Sequence, residues 1–209
     1  MESQIIEMFA KPVYKTIIPP EFKYIVRLFS LVKMDCSKNQ NIKRVGCKSF
    51  NTYLLSNKEY KSFSNHILKS IQEFGDMLGY QYEDYKITQS WLTWKYPGHS
   101  HTGHWHANSL ISGVFYYGEI DKHTPSIIFD DSDFYSKDLK PDHKPNKDYR
   151  FSYHTEEVKV EPGMLLLFPS YLTHSVPVNN TNYIRKSLAF NSVPKKGLGD
   201  EPSLTELLF

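Results

Sequence analysis

The chain has few cysteines, no long apolar run and almost no excess of charge. It contains two cysteines, Cys36 and Cys47, in 209 residues. Two are too few for a disulfide scaffold, and their spacing matches no metal motif, so a reducing cytosol is the default expectation. No apolar run approaches the ~20 residues that span a bilayer. The longest is the short Met164–Phe168 stretch, so no membrane association is expected. The N-terminus lacks the basic and apolar regions of a signal peptide, which again points to a cytoplasmic protein. Net charge is +2, which argues against a dedicated nucleic-acid binder. The basic residues near Lys33, Lys38, Lys43, Arg44 and Lys48 read as a solvated surface.

What the chain does have is aromatic side chains, fifteen Tyr and thirteen Phe among them, and a dense group of histidines. The length suits one buried core. Residues 1–209 therefore read as a single domain, with helical support over 1–85, a β core over 86–193 and a tail over 194–209. The first fifty residues read as a short strand and a helix. Ser56-Asn57-Lys58-Glu59 reads as a capping box. Tyr60, Phe63, Ile67, Ile71, Phe74 and Leu78 then recur at helical spacing until Gly79, predicting an amphipathic helix of about six turns. From Lys86 the period becomes two, giving a strand that leads into the histidines. Further strands are predicted at Leu110–Tyr117, Ser126–Phe129, Tyr149–Val160, Met164–Phe168, Ser175–Val178 and Tyr183–Asn191, with a surface loop at 130–148. Helix first and many short strands after it predict a mainly β (α+β) fold, a double-stranded β-helix or jelly roll of cupin-like type with a supporting amphipathic helix.

Four of the nine histidines, His99, His101, His104 and His106, fall within eight residues. Imidazole is the commonest neutral ligand for Zn, Fe, Cu and Ni. His104 and His106 are spaced i, i+2, so at a strand end both rings point to one side. His174, between two β-like runs, is the best third ligand. The pair His99 and His101 is the alternative in the cluster, and loop or outer-sphere roles are the simpler reading for it. Three ligands on one face of an octahedral ion leave three positions open for a bidentate co-substrate and O₂. Arg185 follows His174 by eleven residues on the next strand. There it can hold a carboxylate by a bidentate pair, with Ser187 on the same strand face as a second donor. Asp130, Asp131 and Asp133 lack the Gly and Glu of a calcium motif and read as a solvated loop.

Trp94-Lys95-Tyr96-Pro97-Gly98, His104-Trp105-His106, Ile111-Ser112-Gly113-Val114-Phe115-Tyr116-Tyr117, Val160 through Ser170, His174, Arg185 and Phe190-Asn191 together resemble the 2-oxoglutarate/Fe(II)-dependent dioxygenases of prolyl-hydroxylase type. Within that group the stretch is most similar to oxygenase-like proteins of phages and marine bacteria, for which the location would be a host cytoplasm. The resemblance implies that His104 and His174 bind Fe(II) and that Arg185, helped by Ser187, grips 2-oxoglutarate. It also implies that Tyr96 and Tyr117 stand against the same co-substrate, although wall aromatics are an equal reading. His106 takes the place of the usual carboxylate ligand. The implied activity is hydroxylation of an unidentified substrate, a small molecule or a peptide side chain, with O₂ consumed and succinate and CO₂ released. Two other readings stay open: a three-histidine cupin dioxygenase that uses no 2-oxoglutarate, and a jelly roll that binds metal without turnover. Neither substrate nor oligomeric state follows from the residues.

Overall fold

In a computed structural model, residues 10–36, 46–130 and 155–208 are described. Strand β1 (Tyr14–Ile17) is followed by helix α1 (Tyr24–Ser30), β2 (Met34–Asp35) and β3 (Cys47–Ser49). Helix α2 (Lys61–Met77) precedes β4 (Tyr85–Lys95), β5 (His101–His104), β6 (Ile111–Tyr117) and β7 (Ile127–Asp130). The chain then forms β8 (Thr155–Val158), β9 (Met164–Pro169), β10 (Thr173–Val176) and β11 (Arg185–Pro194). The strands make a seven-stranded sheet, β1-β9-β6-β11-β4-β3-β2, and a four-stranded sheet, β5-β10-β7-β8. This is the predicted mainly β jelly roll with its helical support. Of the loop expected at 130–148, Asp130 instead ends β7, paired with β8; residues 131–148 and the start of the expected strand at 149–154 lie outside the described residues, as do Lys38, Lys43 and Arg44.

Side-chain alternation gives the large sheet two different faces. On β4, β6, β9 and β11 the residues Leu92, Phe115, Leu165, Leu167, Leu188 and Phe190 face outward and pack with Phe63, Ile67, Ile71 and Phe74 of α2. Each such burial contributes roughly 1.5–3 kcal/mol. The opposite face, with Val114, Tyr116, Leu166 and Phe168, meets Ile127 and Phe129 of the small sheet. The functional residues lie in this second layer, between the sheets.

Three local expectations are corrected. Ser56 does not cap α2: it ends a 3₁₀ turn, its hydroxyl donates to Tyr53 O at 2.7 Å, and the helix starts five residues later at Lys61. A second 3₁₀ turn at Lys58–Tyr60 takes up the first predicted turn. The helix ends as predicted at Gly79, whose φ of 72° is open to glycine. The predicted strand at Ser175–Val178 begins two residues earlier, which places His174 inside β10. Finally, Cys36 and Cys47 are joined in a disulfide with a Cα–Cα distance of 4.5 Å. The antiparallel pairing of β2 with β3 brings the two ends of the intervening segment together, so the cysteine count did not exclude a bond.

Candidate metal centre

β10 pairs with β5 and places His174 directly opposite His104. Residues opposite each other on neighbouring strands point to the same side. The two rings are accordingly 4.4 Å apart. His106 lies two residues beyond the end of β5, in the turn that leads to β6. Its backbone N–H donates to Ser170 O at 3.0 Å, which swings its ring to 5.2 Å from both His104 and His174. One ligand nitrogen from each of the three histidines lies within 4.8 Å of the others. That spacing suits one shared ion at the ~2.0–2.1 Å bond lengths of imidazole.

The hydrogen bonds around these rings leave the correct nitrogens for a metal. His104 Nδ1 is 3.0 Å from Thr102 O, and His174 Nδ1 is 3.0 Å from Leu172 O. Only a protonated Nδ1 can donate to a carbonyl, so Nε2 of each ring keeps its lone pair for an ion. Burial lowers the pKa of His106 to about 4, with the nearby His104 adding to the effect. Burial likewise lowers His174 to about 4, against the opposing effect of its hydrogen bond to the Leu172 carbonyl. Both rings are neutral at pH 7, as ligation requires.

The other two histidines stay outside the convergent set. His101 opens β5 with its ring 4.3 Å from His104. Burial, and after it the charge of Lys95, hold its pKa at about 3. His99 packs against Tyr96 at 5.7 Å, in the turn after β4. Tyr96, expected beside a co-substrate, packs its ring against His99.

Arg185 begins β11 with its side chain buried between the sheets. Its Nε donates to Pro125 O at 2.8 Å, while Nη2 has no hydrogen-bond partner among the described residues. The guanidinium lies 4.9 Å from the ring of Tyr116, whose buried hydroxyl is also without a partner among the described residues. Burial raises the Tyr116 pKa more than Arg185 lowers it, so the hydroxyl is held as a neutral donor. A buried orphan guanidinium nitrogen costs free energy unless an acceptor meets it, and a carboxylate fits the planar fork. Ser187 is buried on the same face of β11.

Two residues near Arg185 were missed from sequence. Lys95, directly opposite it on β4, is buried, and burial followed by the Arg185 charge lowers its pKa to about 8. Tyr116 is the other, whereas Tyr117, expected against the co-substrate, lies on the opposite face of β6. Tyr117 faces the helices, 5.0 Å from Phe29, and its hydroxyl accepts from Trp94 Nε1 at 3.0 Å. Both faces of β6 are buried, so no polar alternation distinguishes Tyr116 from Tyr117. For Lys95, the two-residue period of β4 was the available signal, since it shares a face with Trp91 and Thr93.

Residues 89–191 match the family described as "Putative 2OG-Fe(II) oxygenase". Among curated proteins, none matches the chain in sequence. Solved structures share the fold. A 2OG-Fe(II) oxygenase family oxidoreductase from Burkholderia pseudomallei is 14% identical with a TM-score of 0.53, over 86% of this chain and 84% of that one. HygX from Streptomyces hygroscopicus, solved with nickel, 2-oxoglutarate and hygromycin B bound, is 10% identical with a TM-score of 0.61, over 90% and 84%. A prolyl-4-hydroxylase from Pseudomonas putida is 12% identical with a TM-score of 0.53, over 87% and 92%. The stretch that the family model covers holds all three converging histidines and Arg185, and residues 89–191 belong to the 2-oxoglutarate/Fe(II)-dependent oxygenases.

Proposed function

We propose that the protein is one oxygenase domain that hydroxylates its substrate, with Fe(II) held by His104, His106 and His174 and 2-oxoglutarate anchored by Arg185. The observation that carries this reading is the pairing of a three-imidazole cluster with a buried guanidinium whose Nη2 lacks a partner among the described residues, both in the layer between the sheets. Bound in the cluster, Fe(II) supplies the O₂ chemistry that couples loss of CO₂ from 2-oxoglutarate to oxidation of a C–H bond.

The chain's own residues do the positioning. The carbonyls of Thr102 and Leu172 hold the His104 and His174 rings with Nε2 turned inward. Arg185 Nη2 and the neutral Tyr116 hydroxyl offer donors to the distal carboxylate, and Ser187 adds a third. Phe129 and Phe168 pack beside His174, with ring centroids at 6.2 and 4.8 Å, and keep water from that side. Three imidazoles carry no charge, so the site is one charge more positive around Fe(II) than a set with a carboxylate. The chain is drawn toward small molecules or peptide side chains as substrates by its fold neighbours, one of which carries hygromycin B. None of the described helices is long and apolar enough to cross a membrane.

The test is calorimetric titration of 2-oxoglutarate into the Mn(II)-loaded and the metal-free protein. Binding that requires the metal and weakens strongly in Arg185→Ala, with metal content unchanged, is the expected result. A cupin-type dioxygenase or a non-catalytic metal protein would bind the metal and leave 2-oxoglutarate unbound, so absence of binding to the Mn(II) form overturns the proposal.

A further inference from the structure

His104 and His174 are fixed by strand pairing, but His106 lies in a turn and no ladder sets its place. Its backbone is held by the carbonyl of Ser170, in the turn between β9 and β10. The same turn carries Leu172, whose carbonyl holds the His174 ring. Two of the three ligands therefore depend on one short turn.

Ser170 is itself bound on every side. Its side chain is buried and its N–H donates to Leu110 O at 3.0 Å. Its hydroxyl lies 2.8 Å from both Ser109 Oγ and Ser112 Oγ. Ser112, on the inward face of β6, also lies 2.9 Å from Asn191 Oδ1 on β11. Ser109 reaches Ser192 O at 3.2 Å, closing the chain back on β11. Ser112 and Asn191 are direct partners in the β6–β11 register, so the carboxamide sits where the hydroxyl needs it. What the hydroxyls add is direction, because a hydrogen bond fixes geometry and an apolar contact does not.

We propose that Ser109, Ser112, Ser170 and Asn191 form a positioning network that locks the β9–β10 turn to β6 and β11 and so sets the third metal ligand, His106. The inference rests on the three-histidine reading of the metal centre. The network acts through the Ser170 backbone, whose carbonyl accepts the His106 N–H.

The experiment is Co(II) titration followed by the cobalt absorption spectrum, on the native protein and on Ser112→Ala, Asn191→Ala, His106→Ala and Ser90→Ala. Ser90 is an equally buried serine whose oxygen accepts the Leu55 N–H at 2.8 Å on the helix side of the sheet, so it controls for stability lost with any buried hydroxyl. Ser112→Ala and Asn191→Ala should each lower Co(II) affinity about 10- to 100-fold, as outer-sphere changes do, and move the spectrum toward that of His106→Ala. Ser90→Ala should keep the native affinity and spectrum. Ser170→Ala removes one oxygen and little bulk, and it reports the same loss if a larger truncation fails to fold. Native Co(II) binding in the network variants, or an equal loss in Ser90→Ala, would show a purely structural role and overturn the inference. If His106→Ala also binds as native does, the three-histidine reading itself falls, which separates the two failures.

Discussion

At the scale of residues, the reading turns on His106, Arg185 and Tyr116. If His106 is a ligand, His106→Ala should strip most of the iron and abolish turnover, and metal analysis after gel filtration checks it. His106→Asp should keep Fe(II) or bind it more tightly, since a carboxylate restores charge balance at the ion. His101→Ala should be milder: its ring lies tilted against that of His104 at 4.3 Å but is outside the converging nitrogens. A reversed order, with His101 essential and His106 dispensable, would require a new ligand set. The tyrosine pair gives a second contrast. Tyr116→Phe removes a buried hydroxyl beside the guanidinium and should weaken 2-oxoglutarate binding by about 0.5–1.5 kcal/mol. Tyr117→Phe removes only the partner of Trp94 on the other face and should leave the 2-oxoglutarate affinity unchanged in the same titration.

At the scale of elements, strands with one polar face could be read directly from the chain. The alternation in β4 and the spacing Arg185-x-Ser187 in β11 put the right side chains between the sheets. α2 was readable from Phe63, Ile67, Ile71 and Phe74, but its start was not. The Ser56 hydroxyl prefers a local carbonyl, and two 3₁₀ turns intervene. β6 hid its facing because Ile111 to Tyr117 is apolar on both sides. The position of His106 was half legible: the i, i+2 spacing marked the ligand pair, whereas the Ser170 carbonyl that orients it is 64 residues away in sequence. Gly113 in β6 carries a stability prediction. A Cβ there would meet Phe190 Cζ at 2.2 Å and Leu167 Cδ2 at 2.7 Å. Gly113→Ala should therefore overpack the sheet and cost about 1–3 kcal/mol, seen as a lower denaturant midpoint with no change in metal stoichiometry.

At the scale of the whole molecule, the two sheets divide the chemistry. The small sheet supplies His104 and His174, and the large sheet supplies Arg185, Ser187, Tyr116 and Lys95. The site is intact only while the layers stay packed. Burying three histidines there has an acid cost. The folded pKa values of His101, His106 and His174 lie at about 3, 4 and 4, below the ordinary value of 6.5. A depressed pKa contributes stability above the unfolded value that is lost as pH falls toward the folded one. The metal-free protein should lose stability progressively from about pH 6.5 down to 4, as urea midpoints across that range would show. A flat profile would mean that the rings are solvated. The fold class was readable because helix and strand periods separate cleanly in sequence. The Cys36–Cys47 bond was not, because it depends on how β2 and β3 pair.

Dependence of this oxygenase on Fe(II) and 2-oxoglutarate is read out by a single-turnover measurement. The protein is loaded anaerobically with Fe(II) and 2-oxoglutarate, O₂ is admitted, and succinate is quantified against iron content. Succinate is expected from the native chain even without its substrate, less from Arg185→Ala, and none from His174→Ala. Iron bound in full with no succinate formed and 2-oxoglutarate recovered unchanged would contradict it.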